Sequence, residues 1–115
     1  MRDEVFIMAK MERVLHEDFT GLLQRIEQGI LNSSASASLE DGSDFVGDGC
    51  RCSVRVFERY SAMGSNRVSM SITLFQEPDG TVHLSAITSG GSREMFFKIN
   101  TFGEQAFLDN LAAIL

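Results

Sequence analysis

Apolar and polar residues alternate with a period of two through four segments of the chain. Ala35, Ala37 and Leu39 alternate with Ser34, Ser36 and Ser38, and Cys52, Val54 and Val56 with Arg51, Ser53 and Arg55. Val68, Met70, Ile72 and Leu74 alternate with Ser69, Ser71 and Thr73, then Val82, Leu84 and Ala86 with His83 and Ser85. Successive side chains of a strand point to opposite faces, so the pattern predicts an antiparallel sheet with one buried face carrying the apolar sets. The other face is largely serine and threonine. Small hydroxyls let a second layer approach closely, where a solvated face usually carries long Lys and Glu chains. The shape suggests assembly or binding.

The first thirty residues allow two readings. Val5, Ile7, Ala9 and Met11 alternate with Phe6, Met8 and Lys10, which predicts a strand over residues 5–11 and a helix beginning near His16 to Asp18. Met8, Met11, Leu15, Phe19, Leu22, Leu23, Ile26 and Ile30 also fall at spacings of three and four, which fits one long helix. Strand then helix is preferred, with Phe19, Leu22, Leu23, Ile26 and Ile30 as the buried stripe. Glu40 to Gly49 is acidic and glycine-rich and reads as a long connection anchored by Phe45 and Val46. Ser61 to Asn66 and Glu77-Pro78-Asp79-Gly80 read as hairpin connections. Met95 to Ile99 reads as a short last strand or ordered connection. Thr101 and Glu104 form a capping box ahead of a C-terminal helix with Phe107, Leu108, Leu111, Ile114 and Leu115 on its apolar stripe. The fold class is α+β: an antiparallel sheet of four to six strands in β-α-β-β-β-β-α order, the N-terminal and C-terminal helices packed on one face.

At 115 residues, with 43% hydrophobic and 23% charged residues and a single proline, the chain is one globular domain. Its formal charge of −6 works against nonspecific nucleic-acid binding, which needs a concentrated positive surface. The N-terminus has no signal-peptide h-region and no segment reaches membrane-spanning length, so a cytoplasmic address is expected. Cys50 and Cys52 form a C-x-C pair in a strand, read as two thiols in a reducing compartment. A strained redox disulfide or half of a metal site is the alternative, but no second Cys or Cys–His pair completes a zinc site.

The candidate site is the hydroxyl-rich face. Arg51, Arg55 and Arg59 share the register of Ser53; Ser71 and His83 join them from other strands, with Phe57, Phe75 and Ile87 as apolar members. Arginine donors beside serine hydroxyls could hold a carboxylate or phosphate, and the aromatic residues could pack on a partner subunit. Ser89, Gly90, Gly91, Ser92 and Arg93 read either as an anion nest or as a glycine turn leaving a strand. Glu40, Asp41, Asp44 and Asp48 offer oxygen ligands, though not in EF-hand spacing. For catalysis the candidates are His16, His83, the carboxylates and the two thiols. The alternation places Cys52 and His83 on opposite faces, so no Cys–His pair is expected, and the chain reads as no enzyme, with no cofactor and no metal.

The segments SASASLEDGSDF (Ser34 to Phe45), RCSVRVFERY (Arg51 to Tyr60), NRVSMSITLF (Asn66 to Phe75) and SAITSGGS (Ser85 to Ser92), followed by FFKINTFGEQAFL, resemble a family of short bacterial proteins. That family is domain of unknown function family six-zero-five-four. The resemblance covers most of the chain after residue 30. It implies a small cytoplasmic bacterial protein with no assigned activity and carries over no catalytic residue. Besides a hydrolase or thiol enzyme, which would need an unusually reactive thiol at Cys50 or Cys52, two functions are weighed: a homodimer formed through the Ser/Thr face or an unpaired sheet edge, and a small-ligand module. The latter would have a pocket between sheet and C-terminal helix, broadly like helix-grip folds, lined by Met residues and Phe96, Phe97 and Phe102.

Overall fold

A computed structural model describes residues 5–60, 66–92 and 102–115. The described residues form strand β1 (Val5–Leu15), helix α1 (Phe19–Asn32), strands β2 (Ser38–Gly47), β3 (Cys50–Tyr60), β4 (Arg67–Gln76) and β5 (Val82–Ser92), and helix α2 (Phe102–Ile114). The β-α-β-β-β-β-α order expected from the chain is the order found. The strands make one antiparallel sheet in the spatial order β1-β5-β4-β3-β2, so the chain's first strand closes the sheet beside its last. Residues 5–15 are therefore strand throughout. Met11 and Leu15, which also fit a helical spacing, pack from β1 against the core.

Asp18 starts α1 by accepting a hydrogen bond from the Gly21 amide at 2.8 Å, which satisfies one of the helix's free N–H groups. Ser33 ends it: its hydroxyl and its amide both donate to the Ile30 carbonyl, at 2.7 and 3.1 Å. Between these caps Phe19, Leu22, Ile26 and Ile30 are fully buried, each contributing roughly 1.5–3 kcal/mol of transfer free energy. Phe107, Leu108 and Leu111 of α2 meet them over the same face of the sheet, with Val68, Met70, Ile72 and Leu74 of β4 and Val82, Leu84 and Ala86 of β5 beneath. The two helices touch where a Cβ added at Gly29 would lie 2.5 Å from Ile114 Cδ1. Thr88, buried, donates from its hydroxyl to the Glu104 carbonyl at 3.1 Å and ties β5 to α2. No described helix is long and apolar enough to cross a membrane.

Three expectations are corrected. Ser34 to Ala37 lie before β2, outside any strand, and the acidic stretch from Glu40 to Gly47 is strand, paired with β3 as an edge of the sheet. The true turn is the pair Asp48-Gly49, with φ of 52° and 78°. Two consecutive left-handed residues make the type I′ turn that suits the twist of a hairpin. Ser89 to Ser92 are neither nest nor turn, because they continue β5 in register with Val5 to Met8. The Met95 to Ile99 segment, Thr101, Arg93 and most of the connection before Asn66 lie outside the described residues.

Candidate functional site

Both helices cover one face of the sheet; the other is open. Cross-strand partners point to the same side, so the registers give the open face as rows. At the end nearest the hairpins the row reads Val14, His83, Phe75, Cys52, Phe45 from β1 across to β2. The next is Glu12, Ser85, Thr73, Val54, Ser43, and then Lys10, Ile87, Ser71, Val56, Asp41. The fourth is Met8, Ser89, Ser69, Glu58, Ser38. Phe45 and Val14 are 63% and 58% exposed, which is unusual for large apolar side chains grouped on one face.

Strand β3 is reversed relative to the alternation argument. Phe57 pairs with Met70, Arg55 with Ile72 and Ser53 with Leu74, so the odd-numbered side of β3 faces the helices. Cys52, Val54 and Val56 pair with Phe75, Thr73 and Ser71 and face outward. The side of β3 expected to be core is on the open face, and Arg51, Ser53, Phe57 and Arg59 are on the covered one. Helix α1 lies with its polar flank over this part of the sheet, and polar side chains of β3 meet it. Arg51 stacks over the Phe19 ring, 4.2 Å from its centre, and donates to the Thr20 hydroxyl at 3.1 Å. Arg55 Nε donates to Glu27 at 2.7 Å, and one of its terminal nitrogens lies 3.1 Å from Asp44. Ser53 donates to the same Asp44 carboxylate at 2.6 Å. Hydrogen bonds from Ser53 and Arg55 hold Asp44 below the ordinary aspartate pKa. Arg59 lies over the Phe107 ring at 4.6 Å; burial lowers its pKa, and its Nε has no hydrogen-bond partner among the described residues.

The proposed anion site is thereby divided. Arg51, Ser53 and Arg55 fasten the sheet to α1, while Ser71, His83 and Ser89 lie on the opposite face. Gly90 is under α2, where a Cβ would run into the Glu104 carboxylate. Gly91 and Ser92 are backbone partners of Phe6 and Val5. The acidic residues of β2 divide as well: Asp44 turns to Ser53 and Arg55, whereas Asp41 is paired with Val56 on the open side.

Cys52 and His83 share the open face, contrary to the opposite-face expectation. Phe75 stands between them in the row, its ring 6.3 Å from the His83 ring. His83 Nε2 is 2.5 Å from Glu77 Oε2, and both cysteines are free thiols. Glu12, Val14, Thr73, Phe75, His83 and Ser85 line a shallow depression of about 430 Å³ near this end of the face. The open-face residues missed from the sequence are Cys52, Val54, Val56, Val14, Met8 and Phe45. The signal that bears on Phe45 is Asp48-Gly49, since a two-residue turn places Phe45 opposite Cys52.

A family model described as Family of unknown function (DUF6054) matches residues 8–115. The chain belongs to that family. In this DUF6054 member the segments that carry the resemblance are the α1–β2 connection and strands β2 to β5, together with the approach to α2 and its first half. Among solved structures it is similar to a hypothetical protein, jhp0584, of Helicobacter pylori. The identity is 13% and the TM-score 0.41, over 95% of this chain and 86% of that one. It is also similar to ginseng major latex-like protein 151 of Panax ginseng, at 9% identity and TM-score 0.32 over 94% of each chain. No curated protein matches it.

Proposed function

We propose that this DUF6054 protein is a non-enzymatic cytoplasmic protein that self-associates as a homodimer through the open face of its sheet. The observation that supports this reading is the reversal of β3: arginine and serine face the helices while Val54, Val56 and Cys52 face outward. Phe57 of β3 is buried in the core, but the three apolar residues on the strand's other side are buried fully only when a second layer covers them. The face around it suits such a layer, because Ser69, Ser71, Thr73 and Ser85 are short. Five strands by four rows span about 20 by 24 Å, so two copies would bury roughly 1,000 Å² or more, about the least that a specific interface buries. The face carries little net charge for an acidic chain: Lys10 offsets Asp41 and Glu58 is paired with Arg67, which leaves Glu12 as the one unbalanced charge among the described rows. Against catalysis, His83 is committed to Glu77, and Phe75 separates it from Cys52.

The test is Ser71→Arg, which puts a long cation at the centre of the face. Native mass spectrometry and light scattering should give twice the chain mass for the parent protein and a folded monomer for the variant. A monomeric parent, or a variant that stays dimeric, overturns the reading. A small-ligand role is the second reading, and the depression beside Phe75 and His83 favours it over a pocket under α2, where Phe107, Leu108 and Leu111 are packed tight. A small molecule retained in native spectra, with a rise in Tm when it is added back, would mark that role.

A further inference from the structure

Two sheets can stack face to face about a twofold axis in two simple ways, and the rows of the open face distinguish them. With the axis along the strands, each row meets the same row of the second copy in reverse strand order, so β4 lies over β4 and β1 over β2. With the axis across the strands, the first row meets the fourth. We infer that the dimer proposed above uses the first arrangement, with β4 on the twofold axis and Lys10 of each copy paired with Asp41 of the other. The inference rests on the self-association reading and adds its geometry.

The pairing follows from the registers. Along the axis Ser71 and Thr73 meet their own copies, which lets the sheets come close, and Phe75 meets Phe75. Beside the axis Ile87 lies over Val56 of the second copy, and at the edges Val14 lies over Phe45 and Lys10 over Asp41. The aromatic residues, Ile87, Val56 and Val14 thus meet apolar partners and the edge lysine meets a carboxylate, while Val54 lies over Ser85 and Met8 over Ser38. The crosswise arrangement sets Val54 on Val56 and Val14 on Met8, but it puts Cys52 on Glu58 and both Phe75 and Phe45 on serines. Its one charge pair joins Lys10 to Glu12. Aligned sheets cross at about −30°, which offsets the edge columns by about 5 Å, within reach of a lysine side chain.

Within one chain Lys10 and Asp41 lie on opposite edges, four strand spacings or about 19 Å apart, too far for a direct amide bond. A carbodiimide joins a carboxylate to an amine with loss of water and leaves no spacer. The test is therefore to mix ¹⁴N- and ¹⁵N-labelled wild-type protein, couple it, and map the mixed-isotope peptides. The expected product joins Lys10 to Asp41 between copies. Lys10→Asp and Asp41→Lys should each raise the dimer Kd about tenfold, because each change alters two edge contacts per dimer, and the double variant should restore it. A dimer linked instead through Lys10 and Glu12, or charge reversals that do not rescue one another, overturns the orientation and leaves the dimer standing. A chain that is monomeric throughout overturns both readings.

Discussion

The covered and open faces of the sheet are made by the same five strands, but only one finishes its burial within the chain. Under the helices, Phe57, Met70, Ile72, Leu74 and Leu84 are at most 2% exposed. On the open side Val54 and Val56 are half-buried between their neighbours, and Phe75 and Ile87 remain about 40% exposed. The polar residues differ in the same sense. Arg55 under the helices is locked by Glu27 and Asp44 with its side chain only 13% exposed, whereas Lys10 on the other side has no ion pair among the described residues. Polarity alone therefore does not say which face is core. What decides it is whether each polar side chain has a fixed partner and each apolar one a cover.

Substitutions on adjacent residues of β3 test the contrast most strongly. Phe57→Ala should cost about 3–5 kcal/mol, a large share of the roughly 5–15 kcal/mol that holds a domain folded, and urea unfolding would read it directly. Val56→Ala, one residue along and on the other face, should cost about 1 kcal/mol or less in dilute monomer, and it should weaken the proposed dimer. Equal losses at the two sites would erase the distinction between the faces. Arg55→Met should cost roughly 1–3 kcal/mol, because Glu27 and Asp44 lose their cation while the methionine keeps the packing of the stem. Gly90→Ala should cost about 1–2 kcal/mol, since the new methyl forces the Glu104 carboxylate aside, and its thermal shift should not depend on protein concentration.

The smallest effect is electrostatic. Asp44 is held below its ordinary value of 3.8, so its ionised form adds stability that is fully present above that value. That stability is lost as pH falls through the lowered folded-state value. Asp44→Asn should therefore be less stable than the parent near neutral pH, and the gap should close in acid below 3.8. A constant gap in chemical denaturation at several pH values would show that the Asp44 charge contributes nothing to the joint between β2, β3 and α1.

Most of the fold was legible because its signals are local. The alternation in β4 and β5 marked their core sides, and the stripe of Phe19, Leu22, Ile26 and Ile30 marked α1. What failed were the features set by distant partners. The side that β3 turns to the helices depends on the register between β3 and β4, and an odd or even offset there exchanges every residue between faces. Phe57, large and apolar on the same side as Arg51 and Arg55, was the one local hint. Strand β2 looked like a loop because an edge strand exposed on both sides carries acids and glycine as a loop does. Gly90 and Gly91 looked like a turn, whereas Gly90 is small because Glu104 of α2 lies against it.

The register shift at Glu40, where the β2–β3 pairing skips a residue between Leu39 and Asp41, has a consequence for how any assembly of this protein would stop. A chain that joins its neighbour along a strand edge offers a fresh edge after every addition, and growth then has no natural end. Strand β2 makes a poor template for such fibre growth. Its bulge breaks the even spacing of N–H and C=O groups, and pairing of β2 with β2 of a second copy would set Glu40, Asp41 and Asp48 against like charges. Contact through a face, by contrast, uses up the surface that makes it, and a pair is complete.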